Sequence, residues 1–159
     1  MKTKITSILT IVMYLVVMAS CSGDDSNDDN SQNNSANQTT EIAQNGTWEI
    51  TQFIDSGEDD TSDFTGFVFT FNTDGSLLAN KGELSVIGTW SVTDSSDSSE
   101  DDNGSDDIDF NIFFDVPETN DFEDLNDDWH LVSVTNSKIE LIDVSGGNGG
   151  TDNLIFEKI

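Results

Sequence analysis

The chain of 159 residues contains no arginine, five lysines and a single residue each of cysteine, proline, histidine and tyrosine. Against the five lysines stand 32 acidic residues, so the formal net charge is -27. Nucleic acid is therefore not an expected partner, because phosphate binding depends on lysine and arginine. The acidic excess predicts a self-repelling, well-solvated surface that could hold divalent cations only diffusely.

The scarcity of cysteine and histidine limits the chemistry that the chain can perform. A lone cysteine, Cys21, excludes an internal disulfide, and with His130 as the one histidine a zinc site is not expected. His130 is also the one histidine that could serve as the base of an acyl-transfer enzyme, and its position beside Trp129 at a predicted strand start is typical of a surface or packing residue. We therefore predict a non-catalytic protein with no cofactor and no metal site.

No apolar run is long enough to cross a membrane. Residues 8–18 form the apolar middle of the first twenty residues, whereas a spanning helix needs roughly twenty apolar positions. Lys2 and Lys4 precede this middle, and small residues follow it, which is the layout of a secretory signal over residues 1–20. An uncleaved anchor helix is the alternative.

Residues 18–21 read Met-Ala-Ser-Cys and resemble the bacterial lipobox. The resemblance implies that Cys21 is acylated on sulfur, becomes the mature N-terminus and anchors the protein, since two or more acyl chains give stable membrane attachment. Residues 22–25, Ser-Gly-Asp-Asp, are similar to the acidic export signal of Bacteroidota lipoproteins. That similarity implies display on the outer membrane surface of a Gram-negative bacterium, with a plain solvated linker as the alternative.

The segment after Cys21 has the composition of a tether. Up to Gln44 it contains no aromatic residue and only Ala36, Ile42 and Ala43 as apolar ones, too little to offset the entropy lost on ordering. We therefore predict a lipidated cysteine and disordered linker over residues 21–44. As a flexible coil, the linker would hold its ends about 25 Å apart.

The folded domain is predicted over residues 45–159, because all ten phenylalanines and all three tryptophans lie beyond Gly46. Its apolar residues repeat with period two, as in the stretch DIDFNIFFDV over residues 107–116, which is typical of half-buried strands. Asp74-Gly75 is a hairpin-turn signal. Strands are predicted near residues 47–54, 64–72, 76–80, 85–93, 107–116, 128–135, 138–144 and 152–159.

These segments define an all-β fold. Strands joined in sequence close naturally into an antiparallel up-and-down barrel, here of about eight strands, which removes exposed sheet edges. A two-sheet sandwich has the same periodicity and stays open as an alternative. Between the strands we expect a short helical turn around Phe122 and Leu125 and a long acidic loop over residues 94–107.

Gly46-Thr47-Trp48, at the head of eight predicted strands, resembles the Gly-x-Trp signature of the lipocalin family. The whole pattern is similar to lipocalin-like domains of Bacteroidota surface lipoproteins. The resemblance implies a cup closed at its base by Trp48, and many members bind small apolar molecules in it. The arginine that usually packs across this tryptophan is absent, and Lys158 is the candidate substitute. A second Gly-Thr-Trp, ending at Trp90, is expected to place another indole in the core beside a glycine.

Two functions follow from these features. The first is a monomeric, lipid-anchored barrel that binds a small apolar ligand through Trp48, Trp90, Phe69 and Phe110. The second is a structural or adhesive surface protein whose acidic loops bind a partner, with weak calcium binding by the loop at 94–107. Sequence periodicity cannot choose between them, because filled and hollow small barrels alternate in the same way.

Overall fold

The computed structural model describes residues 29–94, 108–144 and 150–159, with side chains from Ser35 onward. One α-helix precedes nine strands and two short 3-10 helices in this part of the chain. The elements are α1 (Asp29–Gln44), β1 (Trp48–Asp55), β2 (Glu58–Asp59), a first 3-10 helix (Thr61–Phe64), β3 (Val68–Phe71), β4 (Ser76–Lys81), β5 (Leu84–Asp94), β6 (Ile108–Phe114), a second 3-10 helix (Glu123–Leu125), β7 (Asp127–Thr135), β8 (Lys138–Val144) and β9 (Thr151–Lys158). Within these ranges, no helix is both long and apolar enough to cross a bilayer.

The strands form a closed antiparallel barrel. From β3 to β9 each strand pairs with its neighbour in sequence, and β1 pairs with both β3 and β9. The β1–β9 ladder runs from Trp48 opposite Lys158 to Ile54 opposite Asn153. The up-and-down barrel of eight main strands is thereby confirmed, and the two-sheet sandwich is excluded. The additional strand, β2, is a two-residue hairpin arm beside the end of β1.

The predicted alternation is present along the strands. β6 buries Ile108, Phe110, Ile112 and Phe114 and turns the residues between them outward. The β3–β4 hairpin turns at the predicted Asp74-Gly75, where Gly75 adopts a left-handed φ of 82° that favours glycine. Aromatic side chains therefore fill the interior.

Both ends of the barrel are covered by segments outside the ladder. At one end, α1 leads directly into β1 and also packs against β3, β5 and β7, so it lies across the opening. At the other end, the two 3-10 helices and the residues beside them insert Phe64, Phe67, Phe122 and Leu125, all buried. The short turn predicted near Phe122 is present as the second 3-10 helix.

The helix α1 corrects the sequence prediction for residues 29–44, which were expected to be a disordered linker. Ala36, Thr39 and Ala43 recur at helical spacing and are buried against the barrel, with Ala43 fully inaccessible. The side chains on this face are small, so the backbone of α1 can approach closely. Its stability comes from docking and not from composition, which is why a composition argument missed it. The part of the predicted linker before Asp29 lies outside the described residues.

The docking of α1 can be tested with an added side chain on its buried face. We expect Ala43→Leu to lower the free energy of unfolding by about 1–3 kcal/mol, because the fully buried position has no room for the larger group. Glu41→Leu, on the exposed face of the same helix, is the control and should change stability little. Urea unfolding midpoints measure both variants. Equal effects would contradict docking of α1.

Gly88, in the second Gly-Thr-Trp motif, fits the predicted role of leaving room beside a ring. A Cβ atom at this position would lie 2.6 Å from Cδ1 of Phe114 and 2.5 Å from the carbonyl oxygen of Phe113. These two residues belong to the neighbouring strand β6, whose backbone cannot move without disturbing the ladder.

We expect Gly88→Ala to destabilise the barrel by about 1–3 kcal/mol through this overlap. Ser91→Ala, at an exposed position of the same strand, is the matched control and should leave stability nearly unchanged. Thermal and urea unfolding measure the difference. Wild-type stability of Gly88→Ala would contradict the close packing of Phe114 over the glycine.

Candidate functional site

The four aromatic residues predicted to contact an interior ligand all lie in the core. Phe69 and Phe110 are fully buried, Trp48 is fully buried, and Trp90 is 6 % exposed. The structure brings Trp90 and Phe110 together in a stack with ring centroids 5.6 Å apart. Phe69 lies in the same continuous cluster through its edge contact with Phe156. Trp48 is the cross-strand partner of Phe69 in the same core and bonds α1.

The rings in the barrel are packed against each other. Phe71 contacts Trp90, Phe110 and Phe156 with centroid distances of 5.0, 5.3 and 5.4 Å, in the edge-on geometry that aromatic pairs prefer. Phe122 contacts the rings of Phe64, Phe67, Phe69 and Phe114 at the 3-10 end. An interior ligand would have to separate rings that already occupy the space.

Trp48 occupies the position that the lipocalin resemblance predicts for the base of the barrel. Its indole N–H donates to the carbonyl oxygen of Ala43 in α1 at 2.9 Å. The Nζ atom of Lys158 lies 5.8 Å from the centroid of the indole ring, within the range of a cation–π contact. Lys158 therefore takes the place expected for the missing arginine.

The remaining candidates from the sequence do not assemble into one site. His130 is exposed on the outer face, where its Nδ1 lies 2.9 Å from a carboxylate oxygen of its cross-strand partner Asp109. Asp152, near the start of β9, accepts a hydrogen bond from the backbone N–H of Ser56 at 2.6 Å. Cys21 and almost all of the acidic loop at 94–107 lie outside the described residues.

No group of three or more histidine, cysteine, aspartate or glutamate side chains is placed to hold a metal ion within residues 29–94, 108–144 and 150–159.

One concave feature of this surface is a groove on the outside of the barrel. Its volume is about 700 Å³, and it crosses β5, β6 and the beginning of β7. We call it the outer groove. Its lining consists of Thr89, Trp90, Ser91, Asn111, Ile112, Phe113, Glu123, Asn126, Asp127 and Asp128.

The groove lies where β6 and β7 separate. Their ladder ends at Ile112 opposite Asp127, although β6 continues to Phe114. Beyond that point the side chain of Asn126 bonds the β6 backbone where a neighbouring strand would otherwise pair. Its Oδ1 accepts a hydrogen bond from the N–H of Phe114 at 2.6 Å, and its Nδ2 donates to the carbonyl oxygen of Phe114 at 3.0 Å. The chain before β7 is thus held beside β6 without continuing the sheet.

The lining combines hydroxyl, amide, carboxylate and aromatic groups. Ser91, Asn111 and Asp128 form one cross-strand row on the outer face, and Thr89 lies opposite Phe113 in the next. The ring of Phe113 is 54 % exposed, unusually open for a phenylalanine. Glu123, Asp127 and Asp128 add three carboxyl groups, so the groove has a clear negative character.

The pKa of Asp127 is raised from 3.8 to about 6, mainly by burial and next by a hydrogen bond between its carboxyl group and that of Asp128. The negative charges of Asp143 and Asp128 add smaller contributions. The backbone N–H of Asp128 donates to Asp127 at 2.8 Å and opposes the shift. The groove therefore holds a carboxylate whose ionisation is costly in the folded protein.

Sequence reasoning missed the outer groove. Its residues come from three segments whose alignment depends on strand register, and each looks like an ordinary solvated strand face. One signal was available: Phe113 follows Ile112 and precedes Phe114, so one large apolar side chain had to face outward.

No protein-family model matches the chain, and no curated protein matches it either. Among solved structures, the chain is similar to the crystal structure of a DUF4847 family protein from Bacteroides vulgatus ATCC 8482. The match has a TM-score of 0.45 and 19 % sequence identity, and it covers 74 % of this chain and 94 % of that one. The barrel assignment rests on the strand pairing described above.

The raised pKa of Asp127 makes a prediction about stability and pH. Because the folded-state pKa lies above 3.8, this group stabilises the fold below about pH 4, and the contribution is lost as the pH rises through about 6. We expect Asp127→Asn to gain stability relative to wild type between pH 4 and pH 7.5. Glu83→Gln, at an exposed position, controls for loss of one negative charge. Urea unfolding at both pH values is the measurement, and parallel behaviour of the two variants would contradict the assignment.

Proposed function

We propose that this protein is a non-catalytic lipoprotein of the bacterial outer membrane, anchored through Cys21, whose barrel is a rigid support that binds a ligand or partner on its outer face. The observation that carries the choice is the filled interior: rings from several strands are in mutual contact, and segments at both ends cover them. Of the two functions that the sequence left open, the filled interior favours the second, in which the protein binds a partner through its outer surface.

Binding of an apolar molecule inside the barrel is the weaker alternative. A small-molecule site usually encloses some hundreds of Å³ of space. Here a ligand would have to enter between rings such as Phe114 and Phe122, whose centroids are 4.9 Å apart, and would break those contacts without gaining new buried area. The outer groove needs no such rearrangement.

The position of α1 sets the expected orientation on a membrane. Cys21 lies eight residues before the start of α1, and a fully extended chain of that length reaches at most about 28 Å. Since α1 covers one end of the barrel, that end is proposed to face the lipid. The second 3-10 helix and the adjoining part of the groove then lie towards the opposite end, away from the membrane.

Anchoring is tested by Cys21→Ala. We expect the wild-type chain, expressed in a Gram-negative host that processes lipoproteins, to fractionate with the outer membrane and to carry added acyl mass. The variant should keep its signal and lack that mass, because the sulfur that accepts the lipid is gone. Fractionation and intact-mass spectrometry give the result. An unchanged mass and an unchanged membrane fraction for Cys21→Ala would refute the lipoprotein assignment.

The absence of a binding site inside the barrel is tested separately with an apolar fluorescent probe. The packed interior should give no saturable binding to the full chain in detergent beyond the detergent background. Saturable binding that Phe69→Ala or Phe110→Ala alters, while Phe113→Ser does not, would favour the interior site and overturn this part of the proposal.

A further inference from the structure

We propose that the outer groove is a binding site for a small organic cation, an amine or amidine carried on an apolar or aromatic body. This inference rests on the proposal that the domain binds through its outer face, and it adds the site and the ligand class. The groove has a volume of about 700 Å³, within the range of small-molecule sites.

Charge is the first argument. Glu123, Asp127 and Asp128 line one groove, and no lysine is among its lining residues. The lysines in the described part of the chain have contacts elsewhere. Lys81 lies over the ring of Phe67, Lys138 bonds Glu140, and Lys158 lies over Trp48. No lysine of the described residues is therefore placed to neutralise these carboxylates, and a bound cation can supply that charge.

The solvation of the carboxylates is the second argument. Asp127 is half-buried beside Asp128, so water screens its charge incompletely. An ammonium or amidinium group offers charge-assisted hydrogen bonds, which contribute more than neutral ones. An amidinium is planar and can bond a carboxylate through two N–H groups at once.

The exposed ring is the third argument, and it favours an organic cation over a metal ion. Phe113 presents its ring in the same groove as the carboxylates, and Trp90 and Ile112 belong to the lining beneath. A ring face can stack on an apolar body or attract a cation directly. A bare divalent ion would use neither contact, and no three-carboxylate metal cluster is present among the described residues.

The test compares three probes of nearly the same shape: benzamidine, which is cationic, benzamide, which is neutral, and benzoate, which is anionic. They are titrated by calorimetry into the full chain in nonionic detergent. The salt concentration is about 0.15 M, where a Debye length of about 8 Å screens the diffuse field of the other acidic residues. We expect saturable 1:1 binding of benzamidine. Benzamide and benzoate should bind at least roughly tenfold more weakly than benzamidine.

Variants locate the site. The double variant Asp127→Asn, Asp128→Asn should weaken benzamidine binding roughly tenfold or more, since it removes the charged acceptors. The matched double variant Glu49→Gln, Glu83→Gln removes the same charge from exposed positions outside the groove and should bind as wild type. Phe113→Ser should weaken binding as well, whereas Ile87→Ser, at a still more exposed apolar position outside the lining, should not.

Several results would overturn the proposal. Equal affinity for benzamide and benzamidine would show that charge is not recognised. Equal weakening by the two double variants would show diffuse attraction to an acidic protein, and no saturable binding would remove the site. None of these outcomes bears on acylation of Cys21, so failure of the groove and failure of the lipoprotein assignment are distinguishable.

Discussion

The fold depends on one repeated interaction, a hydrogen bond from a buried indole to a backbone carbonyl outside the strand that carries the tryptophan. Trp48 donates to Ala43 of α1, Trp90 to Asn72 in the β3–β4 turn at 3.0 Å, and Trp129 to Leu125 of the second 3-10 helix at 3.1 Å. A buried indole N–H without a partner would be costly. Each tryptophan therefore fixes one connecting segment against the barrel, and two of these segments cover its ends.

This arrangement explains how a chain without disulfides and with so much negative charge remains compact. In the described part of the chain no carboxylate side chain is fully buried, whereas the interior is almost entirely aromatic and aliphatic. Within the barrel the apolar side chains pack against one another. Differences in shape and charge are therefore found on the outer face. The gap between β6 and β7, bridged by Asn126, is where that surface becomes concave.

Much of the barrel could be predicted because its information is local. Phe67, Phe69 and Phe71 alternate with smaller residues, and a single Asp-Gly pair sets the turn that follows. Lys158 beside Trp48 was predictable only through a family resemblance, since the two residues are far apart in sequence.

The helix and the groove could not be predicted in that way. α1 is made of polar residues whose helical form depends on a barrel surface that the local sequence does not describe. The groove depends on which residue of β6 lies opposite which residue of β7. That pairing ends where the side chain of Asn126 bonds the backbone of β6 instead. Both features depend on tertiary contacts, and the spacing of apolar residues along the chain does not indicate them.

The closure of the barrel by β1 and β9 has a consequence for how the chain folds. All other pairings join strands that are neighbours in sequence or separated only by the short β2 arm, so they can form as the chain emerges. The β1–β9 ladder joins the first and last of the described strands, and until β9 is synthesised β1 and β8 each have an open edge. A nascent chain therefore cannot close into the native barrel until synthesis of that strand is complete.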